Sequence, residues 1–286
     1  MSDIQDKLRA RAKELLESGE VKSFIGWEAG RFENQTTPLI ITDAKDTDRI
    51  IYNEYCANTV AKYVRDVKPN GKVALCVRGC DSRAVNRMIA DLDFVREDVY
   101  LIGLPCSGMK DRKTGELFKK CTECRHNNPV VFDEMIGEPA PQMEPAEGRF
   151  DVVKKLEDEP RDERDAYFDR IFRKCIRCYA CRDVCPCCTC RKCFVDQHRV
   201  GWQGKQNNLA ENRFYQLTRV MHIADRCIEC GECERVCPMN LPLMEFNRKA
   251  IMDMNDLFGE FEAGLTDNEP KSALITYELG DVEEFM

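Results

Sequence analysis

Eight of the chain's 18 cysteines fall between Lys174 and Asp196, in KCIRCYACRDVCPCCTCRKCFVD. Cys175, Cys178, Cys181 and Cys185, followed by Pro186, spell C-x2-C-x2-C-x3-C-P. Cys227, Cys230, Cys233 and Cys237, followed by Pro238, spell it again. Thiolates at this spacing are iron ligands. A 4Fe–4S cubane needs a thiolate on each iron, and three cysteines two residues apart wrap one loop around three corners. Zinc also accepts four cysteines, but usually as two separated C-x2-4-C pairs. Here each half is a four-cysteine run ending in proline.

The fourth cysteine of such a run does not reach its own cube. In two-cluster ferredoxins it ligates the other one. The expected ligand sets are therefore crossed: Cys175, Cys178, Cys181 and Cys237 for one cluster, and Cys227, Cys230, Cys233 and Cys185 for the second. Four further cysteines, Cys187, Cys188, Cys190 and Cys193, are too dense for ordinary core packing. Three readings stand for them: another metal, completion of the third cluster expected in the first half of the chain, or redox-inert thiols beside the cubes.

A third set is scattered along the first half. Lys72–Val77 reads as an apolar strand running into Arg78-Gly79-Cys80-Asp81-Ser82. Asp81 or Ser82 can cap a helix over Arg83–Leu92. Val99–Leu104 reads as a second strand, ending in Pro105-Cys106. A short βαβ unit implies parallel strands. It carries Cys80 and Cys106 to the carboxyl edge of the sheet, where open α/β sheets place their ligands. Cys121 and Cys124 follow as a C-x2-C pair. A third 4Fe–4S cluster is expected there, with zinc or unligated thiols as the alternative. Cys56 and Cys76 read as small core residues.

Around these sets the expected elements are few. Residues 4–18 form an amphipathic packing helix. Val21–Trp27 and Pro38–Thr42 are strands, and a helix starts at Thr47 or Asp48 and runs to about Val67. From Gly137 to about Asp165, prolines and rising charge mark a linker or surface strap. Tyr167–Phe172 begins a helix delivering the chain to Cys175. Leu209–Ala224 reads as a helix with Leu209, Phe214, Leu217, Val220 and Met221 apolar, and Leu243–Leu257 as another. Ser272–Tyr277 is a last candidate strand.

The expected architecture is an α/β domain with a short parallel sheet (1–136), a linker (137–166), a mainly α-helical dicluster ferredoxin domain (167–262) and a tail (263–286). The chain has 286 residues, a net charge of −8 and a pI near 5.2. That balance argues against nucleic acid and anionic membranes as partners. The start has no apolar signal region, and no apolar run approaches a membrane span. Cysteine-rich and signal-less, the chain is expected in a reducing cytoplasm. Of three histidines, His126, His198 and His222, none forms H-E-x-x-H or a nucleophile–base pair. No catalytic residue is assigned. The acidic runs Glu157–Glu159 and Asp162–Asp165 read as solvated faces.

The segment VALCVRGCDSRAV…VYLIGLPCSGM…KKCTEC, roughly residues 70–137, resembles the beta-subunit family of deazaflavin-reducing hydrogenases and dehydrogenases. In that family two strand-end cysteines and a C-x2-C pair hold a 4Fe–4S cluster, which the resemblance carries to Cys80, Cys106, Cys121 and Cys124. The family's Thr-Pro-Cys is Arg-Gly-Cys here. The second half is similar to dicluster ferredoxin modules in electron-transfer subunits of formate dehydrogenases, hydrogenases and heterodisulfide-reductase-like complexes of anaerobes. The resemblance leaves room for FAD, for which no G-x-G-x-x-G or other motif is present. The expectation is a non-catalytic iron–sulfur electron-transfer subunit of a multisubunit oxidoreductase, bound to other subunits. The alternatives are a flavin-bearing beta subunit exchanging hydride with a deazaflavin or nicotinamide, and a zinc-stapled scaffold or redox sensor.

Overall fold

A computed structural model describes residues 2–145, 148–197 and 199–266. The strand expected at Ser272–Tyr277, and His198, lie outside the described residues. Helix α1 (Ser2–Glu17) buries Leu8, Ala12 and Leu15, a stripe at i, i+4 and i+7. Strands β1 (Ser23–Ala29) and β2 (Thr36–Ile41) pair antiparallel. The expected helix ending at Val67 does not form. A 3-10 turn over Ala44–Arg49 and one helical turn, α2 (Val64–Val67), take its place. The reason lies in the backbone acceptors. The carbonyl of Asn58 accepts from Trp27 Nε1 (2.9 Å) and Arg78 Nη2 (2.8 Å), and that of Cys56 accepts from Arg78 Nη1. Carbonyls spent on a buried guanidinium are lost to a helix ladder.

Strand β3 (Val73–Val77) is buried along its whole length and pairs parallel with β1 and with β4 (Val99–Gly103). Between them runs α3 (Gly79–Ala90), and after the single turn α4 (Lys119–Thr122) the short β5 (Glu134–Met135) adds parallel to β4. The order is β2-β1-β3-β4-β5. The sheet is thus mixed and five-stranded, where the sequence suggested a short parallel one. Its β1–β2 hairpin is the departure, because residues 30–35 turn the chain straight back.

The rest of the described chain is helices joined by loops: α5 (Asp151–Glu157), α6 (Arg161–Arg173), α7 (Ala180–Asp183), α8 (Leu209–Met221), α9 (Glu232–Arg235) and α10 (Leu243–Phe258). The residues expected as a linker hold α5, which packs on α10. One hydrophobic core runs from the sheet through Cys185, Cys187, Ile223, Ile228 and Ile251. A smaller one surrounds Cys175, Tyr215, Leu241 and Met244. Past α10 the chain returns to α3, where Arg83 donates to the Ala263 carbonyl (2.8 Å) and Asn86 to that of Gly264 (3.1 Å). Among the described residues, no helix is long and apolar enough to cross a membrane.

Candidate metal centres

The N-terminal site is built by the β3–α3 junction. Helix α3 begins four residues earlier than the sequence suggested, so Cys80 lies in its first turn. Asp81 accepts from the Arg78 N–H (3.4 Å) and Nε (2.7 Å), locking the helix start onto a guanidinium stacked over Trp27. Position 79 must be glycine: a Cβ there would sit 1.9 Å from the His126 carbonyl oxygen. That close approach draws the segment after Cys124 across the helix start. Asn127 then donates to the Cys106 carbonyl (2.8 Å), tying the end of β4 to the same place. Met109 N–H donates to Cys121 Sγ (3.3 Å). As a result Cys80, Cys106, Cys121 and Cys124 line one cavity, together with Cys230 of the second run. Burial raises the thiol pKa of Cys80, Cys106 and Cys124. A metal bound there must displace protons, and Arg78, Arg83 and Lys120, which also line the cavity, favour the resulting anions.

The two C-terminal runs share a backbone. Arg177 (φ 49°) and Tyr179 (φ 61°) flank Cys178 in left-handed conformations, and Glu229 (φ 54°) and Gly231 (φ 67°) flank Cys230 in the same way. Each run then closes with a single helical turn, α7 or α9. Cys175, Cys178, Cys181 and Cys237 line a common cavity, so the last cysteine of the second run lies with the first three of the other. Cys185 is buried; burial first, and then a negative charge on Cys185, raise the pKa of Cys227, Cys230 and Cys233. The neighbouring Cys187 and Cys188 side chains hold the Cys185 thiol pKa well below the ordinary range. Donors reach the sulfurs from several sides. Gln216 Nε2 lies 3.6 Å from Cys175 Sγ, Tyr215 Oη 3.3 Å from Cys181 Sγ, Leu241 N 3.5 Å from Cys237 Sγ and Asn247 Nδ2 3.6 Å from Cys233 Sγ. Four thiols around one space, with N–H and O–H groups aimed at sulfur, fit an iron–sulfur cluster, whose potential such hydrogen bonds set. Among the described residues, no three Cys, His, Asp or Glu side chains converge on the position of a single ion.

Residues 171–241 match the model of the 4Fe-4S dicluster domain. The chain carries a dicluster 4Fe–4S domain. Among similar proteins, the beta subunit of the F420-dependent formate dehydrogenase of Methanocaldococcus jannaschii is 24% identical, over 86% of this chain and 88% of that one. The beta subunit of F420-dependent formate dehydrogenase 1 of Methanococcus maripaludis is 22% identical, over 64% and 72%. The chain is a homologue of these beta subunits. Among solved structures, a chain of the F420-reducing NiFe hydrogenase complex from Methanosarcina barkeri aligns at 19% identity and a TM-score of 0.32. That alignment covers 39% of this chain and 43% of the other.

Within the dicluster domain, α8 forms over Leu209–Met221 and buries Val220, but most of its buried face is polar. Phe214, Leu217 and Met221 are exposed, whereas Asn212, Tyr215, Gln216 and Arg219 are buried. Those four recur at i, i+3, i+4 and i+7, the spacing of a helix face, so a polar stripe was legible as well as an apolar one. Asn212 ties down the first run, donating to the carbonyls of Phe172 and Cys175 (both 2.9 Å). Arg219 donates to Asn247 Oδ1 (3.0 Å) from α10, while its Nε and Nη1 have no partner among the described residues.

Cys187, Cys188, Cys190 and Cys193 line a cavity of their own. Cys56 and Cys76 are buried core thiols, as expected, and burial lifts the Cys56 thiol to about 11. His126 lies 2.8 Å from Glu262, and His222 is exposed beside the Phe194 ring.

Proposed function

We propose that this chain is an iron–sulfur electron-transfer subunit of a multisubunit oxidoreductase complex, passing single electrons between a partner catalytic or flavin subunit and a second redox partner. One observation carries it. Cys237 lies in the same cavity as Cys175, Cys178 and Cys181, which supports the crossed ligation of a two-cluster carrier. The dicluster-domain match and the homology to formate dehydrogenase beta subunits support it. The clusters are held by Cys175, Cys178, Cys181 and Cys237, and by Cys227, Cys230, Cys233 and Cys185. A third is held by Cys80, Cys106, Cys121 and Cys124 in the α/β domain, next to a mainly helical ferredoxin module, and the chain works in the cytoplasm. When bound, a 4Fe–4S cluster takes up and releases one electron. The protein supplies thiolates, burial and donors to sulfur, and no acid–base step is needed.

The test is chemical. Protein purified without oxygen should hold at least about eight iron and eight acid-labile sulfide per chain. Cys185→Ser should damage the cluster of Cys227, Cys230 and Cys233 and leave the magnetic signal of the Cys175 cluster. Selective loss of the Cys175 signal would overturn the crossed assignment, and zinc without labile sulfide would overturn the function. The names of the relatives favour a second reading, a flavin-bearing subunit exchanging hydride with a deazaflavin. Flavin released on heat denaturation is its signature.

A further inference from the structure

Two cubanes account for eight of the twelve cysteines between Cys175 and Cys237. The other four share the cavity between α7, α8 and the α2 region. We infer that Cys187, Cys188, Cys190 and Cys193 hold a further 4Fe–4S cluster, at the outer edge of the dicluster domain. This inference rests on the reading of the chain as an iron–sulfur carrier.

The local chain is suited to it. From Cys188 to Cys193 the backbone has no regular structure, and it closes on a 3-10 turn at Phe194–Asp196. The two cluster runs likewise carry their ligands on loops ending in a short turn. The four thiols border one space without converging on a single point.

Charge gives the second argument. A cubane with four thiolates is an anion, and a partly buried anion requires paired cations. Lys62, Arg65, Arg182, Arg191, Arg219 and Arg226 line this cavity against Asp183 and Asp196. Those two carboxylates are both engaged by Arg182, each at 2.8 Å. Arg219 is only 3% exposed, and two of its nitrogens lack a partner. Buried guanidinium N–H groups without acceptors are costly, and cluster sulfur would supply acceptors. Packing alone explains Cys187, which is buried and donates to the Arg226 carbonyl at 3.0 Å. It does not explain Cys190, which is exposed.

The experiment uses the full chain, purified without oxygen, as wild type and as Cys190→Ser/Cys193→Ser. Iron, labile sulfide and zinc are counted per chain. The double variant should lose about four iron and four sulfide and keep the magnetic signals of the dicluster pair. Should it fail to fold, Cys190→Ser alone, at an exposed position, is measured in the same way with the same expectation. Iron undiminished in the variant overturns the inference, as does one zinc per chain present in wild type and lost in the variant. Wild type without iron would instead overturn the function proposed above.

Discussion

Cys175–Cys185 and Cys227–Cys237 have one spacing and one backbone, yet they meet different surroundings. The first cysteine of each run is followed by isoleucine: Ile176 is 51% exposed, Ile228 only 2%. Left-handed Tyr179 follows Cys178 and packs its ring against Tyr215, with centroids 5.1 Å apart. The equivalent residue of the second run is Gly231, where a Cβ would fall 2.4 Å from Lys120 Cβ. Next to it Glu232 is fully buried, held by Lys120 of α4 and by Arg235 (2.7 Å). The motif therefore sets ligand geometry, and the neighbours set access. The second run is roofed by α4, and its Cys230 reaches the N-terminal cavity. In the first run Cys178 and Ile176 remain exposed. Solvent exposure is one of the determinants of cluster potential, so one spacing gives an inner and an outer site.

The largest effect is expected where that roof is pinned. Glu232→Ala leaves Lys120 and Arg235 as unpaired buried cations, at a cost of about 3–5 kcal/mol. The denaturation midpoint should fall, and iron should leave the second run before the first. The pH dependence has a definite sign. Burial works to raise the Glu232 pKa, but Lys120 and Arg235 prevail and hold it at about 2, below its ordinary 4.5. The stability it contributes is full above about pH 4.5 and is lost as pH falls through about 2. Glu232→Gln should flatten the stability profile across that window. An unchanged midpoint for Glu232→Ala would show that the roof does not depend on this ion cluster.

A smaller effect separates the equivalent positions directly. Gly231→Ala meets a left-handed backbone penalty of about 1–2 kcal/mol and must also displace Lys120. Tyr179→Gly relieves the same backbone but forfeits a ring contact of about 0.5–1.5 kcal/mol, so it should be nearly neutral. Thermal unfolding of the two variants checks this. Equal losses would mean that the two runs are not differently roofed.

Much of the iron chemistry was legible because ligand spacing is a local property. The βαβ unit was legible too, since β3 and β4 are short apolar runs on either side of a helix. The β1–β2 pairing and the collapsed helix before Val67 were not. The second depends on a distant partner, Arg78 drawing carbonyls from Cys56 and Asn58. Only the fold shows the His126 carbonyl pressed against Gly79. Counting apolar positions on α8 does not reveal its buried polar face. Polar side chains turn inward there because thiols and loop carbonyls, rather than aliphatic carbons, are what they meet.

The finest test concerns the residue that inner and outer sites share. Arg219 is buried on α8, and its cationic form is favoured by charge on Cys233 of the second run and on Cys181 and Cys185 of the first, against the cost of burial. Reduction adds a negative charge to a cluster, and a nearby buried cation stabilises the reduced form. Arg219→Met should therefore lower the potentials of both clusters, by roughly 60 mV each, the one-electron equivalent of about 1.4 kcal/mol. Arg219→Lys keeps the charge but loses the planar fork, and should recover part of the shift. The measurement is a redox titration followed by magnetic resonance, with iron content as the control for intact clusters. A shift in both potentials means that the two runs share one electrostatic environment despite their different exposure. A shift in one alone would assign Arg219 to that run and sharpen the division between them. Unmoved potentials would show that the guanidinium holds α8 to Asn247 and nothing more.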